Sequence, residues 1–223
     1  MVRVNAPAPR FRAGAGRLCL DFVRTLRHRG TPGETEELPD EAALTAWITQ
    51  CAPCATFPGP TAAPARRGAV AVQPVPGVEA PAAEGESGVE APVRHIARAR
   101  QLREAVHTLL THARTTGPAD CPPAARNLLN DVAAGNPPAP HLNSRGHLHW
   151  TAPDPITATL TLIARDALDL ATSDLVARLR VCEGHDCQAV FLDLSRPGTR
   201  RWCSMSTCGN RAKKQALRDR ASR

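Results

Sequence analysis

Four of the eight cysteines fall in the last 46 residues as Cys182-x4-Cys187, fifteen residues, then Cys203-x4-Cys208. Two close pairs joined by a hairpin-sized spacer match the spacing of a four-thiolate zinc site. The residues between them fit that reading. Ala189 to Leu192 is strand-like, Arg196-Pro197-Gly198-Thr199 places Pro and Gly at the centre of a type II turn, and a returning strand through Arg201-Trp202 would bring Cys203 beside Cys187. After Cys208 the run Gly209 to Ala221 lacks proline and is rich in Ala, Arg, Lys and Gln, which predicts a helix. The expectation is a treble-clef-like zinc module of knuckle, β-hairpin and helix, holding one structural Zn2+ through Cys182, Cys187, Cys203 and Cys208. Two disulfides are the competing use of these thiols. The chain opens at Met1 without a Lys/Arg-led apolar export segment, so a reducing cytoplasm is expected, where disulfides rarely persist. His185 could replace one ligand, but four cysteines already fill a tetrahedron.

Charge points to a partner for this module. Residues 178–223 hold eleven Lys/Arg against four carboxylates, which accounts for the entire formal charge of +7. A neutral domain with a cationic tail is the asymmetry of a polyanion binder, so double-stranded DNA is the first partner to consider. On a helix Arg211, Lys214, Gln215 and Arg218 share a face, while Ala212 and Ala216 turn toward the module's body, and Lys213 is a further candidate cation of the helix. Arg196, Arg200 and Arg201 flank the hairpin turn. These cations suit backbone phosphates, and Asn210, Arg211 and Gln215 could reach base edges.

The rest of the chain reads as helical. Aromatic residues are only 3% of the chain and Tyr is absent, so the core must be built from Leu, Val, Ile and Ala, which favours helices. Leu18, Phe22 and Leu26 mark a first helix, and a second follows a capping Asp40 and ends near Gln50. A long helix has Ile96, Ala99, Leu102, Val106, Leu109 and Ala113 on its apolar face and Arg98, Arg100 and Arg103 on its wet side. A shorter helix runs from Pro123 to Ala133, a hairpin spans His141 to Trp150, and Asp154-Pro155 caps a helix carrying Ile156, Leu160, Ile163, Ala167 and Leu170. Between them, residues 53–92 are dense in Pro and Gly with no sustained period, as expected of a flexible insertion. The expected fold is mainly α with a small β component: a helical N-terminal domain, 1–177, interrupted at about 53–92, then a zinc module, 178–223.

No catalytic constellation is visible, with no G-x-S-x-G, phosphate loop or H-E-x-x-H, and the chain is not expected to be an enzyme. Asp166 and Asp169 read as the wet side of a core helix. Cys51-x-x-Cys54 lacks the βαβ surroundings of a redox pair, Cys19 reads as a buried thiol and Cys121 as a loop thiol. His141, His147 and His149 read as outward-facing hairpin residues rather than a metal cluster. No membrane span is expected.

The motif Cys208-Gly209-Asn210-Arg211, with Phe191-Leu192-Asp193, Ser195-Arg196 and Arg200 to Met205, closely resembles the CGNR zinc finger. Leu18-Cys19-Leu20-Asp21-Phe22-Val23, Trp47 and the helices beyond Pro92 resemble the ABATE domain that precedes this finger in bacterial stress-induced transcription regulators. The resemblance implies a four-cysteine zinc site and a DNA-binding, nucleoid-associated transcription regulator. Its helical domain would sense a small-molecule or protein signal, or form a homodimer. The alternative is a zinc module that binds RNA or a partner protein. The chain departs from the pattern at Arg24, where the family usually has Asn, at Pro197, where a turn residue like Asn is usual, and in a less densely basic final helix.

Overall fold

The computed structural model describes residues 11–52 and 90–221, with side chains in the long helix from His95 onward. Helices dominate, joined by three short antiparallel β-hairpins. In chain order the elements are α1 (Leu18–Val23), β1 (Leu26–Arg27), β2 (Thr35–Glu36), α2 (Glu41–Cys51), α3 (Glu90–Thr115), α4 (Pro123–Ala133), β3 (Ala139–Leu142), β4 (Leu148–Thr151), α5 (Pro155–Thr172), β5 (Leu179–Val181), β6 (Val190–Leu192) and α6 (Asn210–Ala221). No helix among the described residues is long and apolar enough to cross a membrane.

Local chemistry accounts for the helix starts. The Asp40 carboxylate accepts from the Ala43 N–H, and Asp154 accepts from Ile156 and Thr157 ahead of Pro155. Asp166 is not simply a wet residue of α5. It accepts from Arg17 at 2.7 Å and from the Cys19 N–H at 2.8 Å, tying the start of α1 to α5. Helix α1 is shorter than the spacing implies, because Thr25 turns back to hydrogen-bond the Phe22 carbonyl and Leu26 falls in β1 opposite Glu36. Asn143 closes the β3–β4 turn by accepting from Arg145 and His147. The insertion read at about 53–92 lies outside the described residues up to 89, and residues 90–92 already belong to α3.

The core lies where α1, α2, α3 and α5 meet, with Phe22 edge-on to Trp47 at 5.1 Å between ring centres. One expectation for this layer fails. Arg103, placed by periodicity on the wet side of α3, is 3% exposed, because β2 folds over that face and supplies Glu36 as its partner. Arg98 pairs with Asp131 and Arg100 donates to the carbonyls of Leu38 and Pro39, both nearer the surface.

The cysteine-rich end is not a separate appendage. Leu179, Phe191 and Leu192 are at most 1% exposed and belong to the same core as α1 and α5. The join depends on Gly16, whose φ is +102° and whose missing Cβ would lie 2.9 Å from Cβ of Leu192, while the neighbouring Ala15 carbonyl accepts from Leu192 N–H. Replacing Gly16 by Ala should cost about 2 kcal/mol from backbone conformation, with the overlap adding to it. Gly14→Ala, at φ +92° with nothing within 4 Å, is the control. Equal urea midpoints for the two variants would show that the approach to Leu192 is not tight.

Candidate metal centre and cationic face

The knuckle is built on the turn of the β5–β6 hairpin. Strand β6 pairs with β5, which precedes the first cysteine, and not with a returning strand, because Arg201 and Trp202 form no ladder with β6. They come back as an irregular segment that still delivers the Arg201 carbonyl to the Glu183 N–H at 3.0 Å. The Arg196–Thr199 turn also closes one residue earlier than the Pro-Gly pair implies. Gly198 N–H donates to the Ser195 carbonyl, and Gly198 itself takes φ +66°.

These connections converge four sulfurs. Cys182, Cys187, Cys203 and Cys208 are each buried, and their sulfurs all lie within 4.8 Å of one another. Cys187 to Cys203 is 3.6 Å, Cys203 to Cys208 3.8 Å and Cys187 to Cys208 3.6 Å. A tetrahedral zinc with bonds of about 2.3 Å spaces its sulfurs about 3.8 Å apart, and a disulfide needs about 2.05 Å. The donor set therefore fits one zinc ion.

The surroundings are arranged for negative sulfur. Gly184 N–H and Cys203 N–H donate to the Cys182 sulfur at 3.4 and 3.3 Å. Cys208 sits in a single wide turn, Met205–Gly209, at the start of α6, where the helix dipole favours anionic sulfur. Gly184 is needed for room, since a Cβ there would meet the Cys208 sulfur at 3.3 Å. Hydrogen bonds from Cys187 and Cys203 and from those two N–H groups pull the Cys182 thiol down. Burial and the neighbouring thiolates push Cys208 up to about 11, and hydrogen bonding with Cys182 and Cys187 together with burial raises Cys203. Four such groups cannot all ionise by themselves, whereas a divalent cation between them allows it.

Two further residues have roles at the site that the sequence did not assign to them. Asp193, fully buried, accepts from the N–H groups of Ser195 and Arg200 and shapes the loop that leads to Cys203. Arg24, from the end of α1, is 7% exposed, lies 3.5 Å from Asp21 and reaches the Cys203 sulfur at 4.0 Å. Asp193 takes its first bond locally, from Ser195 two residues on, but its bond from Arg200 and the reach of Arg24 to Cys203 depend on tertiary placement.

The cationic candidates divide by what they already hold. Arg200 donates to the carbonyls of Trp202 and Cys203 and lies 4.9 Å over the Phe191 ring, which makes it part of the loop's support. Arg201 pairs with Glu183 at 2.6 Å and stacks 5.0 Å from Trp202. Arg196, Arg211, Lys213, Lys214 and Arg218 are exposed, and α6 has no buried residue: Ala212 is half-buried, but Ala216, expected on the same inward face, is exposed because α6 leaves the body within its first turn. Asn210 donates its amide to the Ser206 carbonyl, and Gln215 donates to Asp219. Between α6 and the knuckle runs an open groove bordered by Gly184, His185, Arg211, Ala212, Gln215 and Ala216.

The remaining titratable candidates stay apart. His185 is exposed beside Asp186. His141 and His149 face each other across the β3–β4 hairpin at 4.6 Å between rings, and the four cysteines are the only metal-competent group among the described residues. Cys19 is buried, and Cys121 lies in the loop before α4, as expected, and is also buried. Burial raises the half-buried Cys51 to about 11, and Cys54 lies outside the described residues.

Comparison with known families finds two matching models. The ABATE family model, described as "Putative stress-induced transcription regulator", matches residues 16–174, and the CGNR zinc finger model matches residues 178–221. One description is of a regulator and the other of a zinc finger, and neither is of an enzyme. No curated protein matches the chain.

Proposed function

The chain belongs to the ABATE family and ends in a CGNR zinc finger, and from that premise we propose that it is a bacterial cytoplasmic transcription regulator that binds double-stranded DNA through the zinc-supported face of residues 178–223. One observation carries this reading. Helix α6 buries none of its residues, presents Arg211, Lys213, Lys214 and Arg218 to solvent, and stands directly on Cys208. A helix that packs against so little while carrying that charge is built to meet an anionic surface. Zinc, held by Cys182, Cys187, Cys203 and Cys208, fixes the angle at which α6 leaves the body. Arg196 on the turn supplies a second point of contact. Residues 1–177 form the sensing or dimerising part, and a homodimer would place two fingers on two half-sites.

Binding of duplex DNA by full-length, zinc-loaded protein, followed by fluorescence anisotropy across a salt series, tests this. If Arg196, Arg211, Lys213, Lys214 and Arg218 each neutralise one phosphate, log K should fall with log salt at a slope of about −4.5. Lys214→Ala should flatten that slope by about one unit without altering sequence preference, whereas Arg211→Ala should relax preference as well. Absence of salt-dependent binding to any duplex, with binding retained to structured RNA or an acidic protein, would replace DNA by one of those partners.

A further inference from the structure

The helical part and the cysteine knuckle meet along a cleft distinct from the α6 face. A recess of about 20 Å3 beside Cys187 adjoins an outer cleft of about 240 Å3. The two share Arg29, His107, Gln188 and Val190 in their walls. Five arginines, Arg12, Arg24, Arg27, Arg29 and Arg114, line it from four separate segments, and no carboxylate lines it anywhere. Some of that charge is already matched from behind. Arg27 pairs with Glu37, and Arg29 forks onto Glu104. Arg12 and Arg114 have no ion-pair partner among the described residues.

The decisive group is Arg24. It is more than nine-tenths buried and lines the recess, and its Nη1 makes no hydrogen bond although it is shielded from solvent. Asp21 approaches that atom only to 3.5 Å, beyond good hydrogen-bond range, while the other amino group faces the Cys203 sulfur. A buried guanidinium N–H without an acceptor costs free energy that an arriving acceptor would recover.

We propose that this cleft binds a small phosphate-class oxyanion, with one oxygen in the recess toward Arg12 and Arg24 and the body of the ligand in the outer cleft between Arg29 and Arg114. Donors that converge from several segments suit a tetrahedral oxyanion with acceptors on every side. A planar carboxylate is satisfied by the fork of a single arginine. The site also explains how a ligand would reach the finger. His28, at the tip of the β1–β2 hairpin, donates from Nδ1 to the Asp186 carbonyl at 2.6 Å, and Gln188 of the knuckle lines both parts of the cleft next to the ligand cysteine Cys187. An occupant touches both halves of the molecule at once. The inference gives a chemical class to the signal in the regulator reading, and rests on that reading only for its consequence.

Calorimetric titration of full-length, zinc-loaded protein with inorganic phosphate at constant ionic strength, against a chloride control, tests it. One saturable site is expected. Arg24→Asn should weaken phosphate at least about tenfold, with zinc content measured in the same sample because Arg24 also faces Cys203. Arg114→Ser, at an exposed position, should weaken it about threefold without changing the melting temperature of the ligand-free protein. Lys214→Ala should leave it unchanged. No saturable heat above the chloride control overturns the site, as does phosphate binding that survives both cleft variants or is lost in Lys214→Ala. Tighter binding of succinate than of phosphate overturns the ligand class. Duplex binding measured on the same samples separates the two proposals: phosphate binding without DNA binding leaves the cleft and removes the regulator reading, and the reverse does the opposite.

Discussion

Stripped of zinc by a chelator, the protein is expected to lose ordered structure from the knuckle through α6 while α3, α4 and α5 stay folded. Structural zinc in finger peptides contributes roughly 10 to 16 kcal/mol of apparent folding free energy, because such peptides have almost no other core. Here the hairpin that carries the knuckle is anchored by Leu179, Phe191 and Leu192 in the common core, so β5 and β6 retain support that an isolated finger lacks. The segment from Cys203 to α6 reaches the core through the zinc-binding Cys203 and Cys208 themselves, and no residue of α6 is buried. Amide hydrogen exchange should therefore show complete loss of protection over residues 203–221, partial loss over 179–192 and little change in α3. Cys203→Ser should reproduce this without a chelator. Protons compete with the metal for the sulfurs, so the same change should develop as pH falls. Less than half an equivalent of zinc in protein purified without chelator, or unchanged exchange after chelation, would defeat the assignment of the four cysteines as a structural zinc site.

Much of this site could be read from the chain because cysteine spacing is a covalent constraint: two short loops and one hairpin-length spacer leave few ways to arrange four thiols. Helix starts were equally legible, since Asp40 and Asp154 act on N–H groups two or three residues away. What escaped the sequence depends on distant partners or on the path of an irregular loop. Strand β6 chose β5 over the Arg201-Trp202 segment because β5 brings Leu179 into the core, while Arg201 is exposed and Trp202 is only half-buried. Arg200 looked like a phosphate ligand by charge alone, and the loop held open by Asp193 folds it onto carbonyl groups instead. Arg24 sits one residue past α1, where no local pattern announces that its side chain will run beneath the knuckle to Cys203.

Arg103→Met should be the most damaging single substitution away from the metal. The Arg103 guanidinium forks onto both oxygens of Glu36 at 2.6 Å, donates to Thr25 Oγ1 at 3.2 Å and to Glu104 at 3.1 Å, and is 3% exposed. Glu104 in turn holds Arg29, so one network pins the β1–β2 hairpin and the end of α1 to α3. Removing one partner of a buried ion pair costs about 3 to 5 kcal/mol, and the lower end applies because Glu36 is 29% exposed and can regain water. The pH dependence checks the assignment. Burial works to raise the Glu36 carboxyl, but the bonds from Arg103 outweigh it and hold the group below its usual value of 4.5. A depressed carboxyl contributes stability that is fully present above the unfolded value and is lost as pH falls through the folded one. Wild-type protein should therefore lose stability progressively below about pH 4.5, and Arg103→Met should lose less over that window because its pair is already gone. Since Arg27, His28 and Arg29 ride on this hairpin, the variant should also weaken phosphate in the adjoining cleft while leaving zinc content intact. A denaturation midpoint close to wild type at neutral pH, together with an unchanged acid limb, would mean that the hairpin is held by its apolar contacts and that the Arg103–Glu36 pair merely accompanies them.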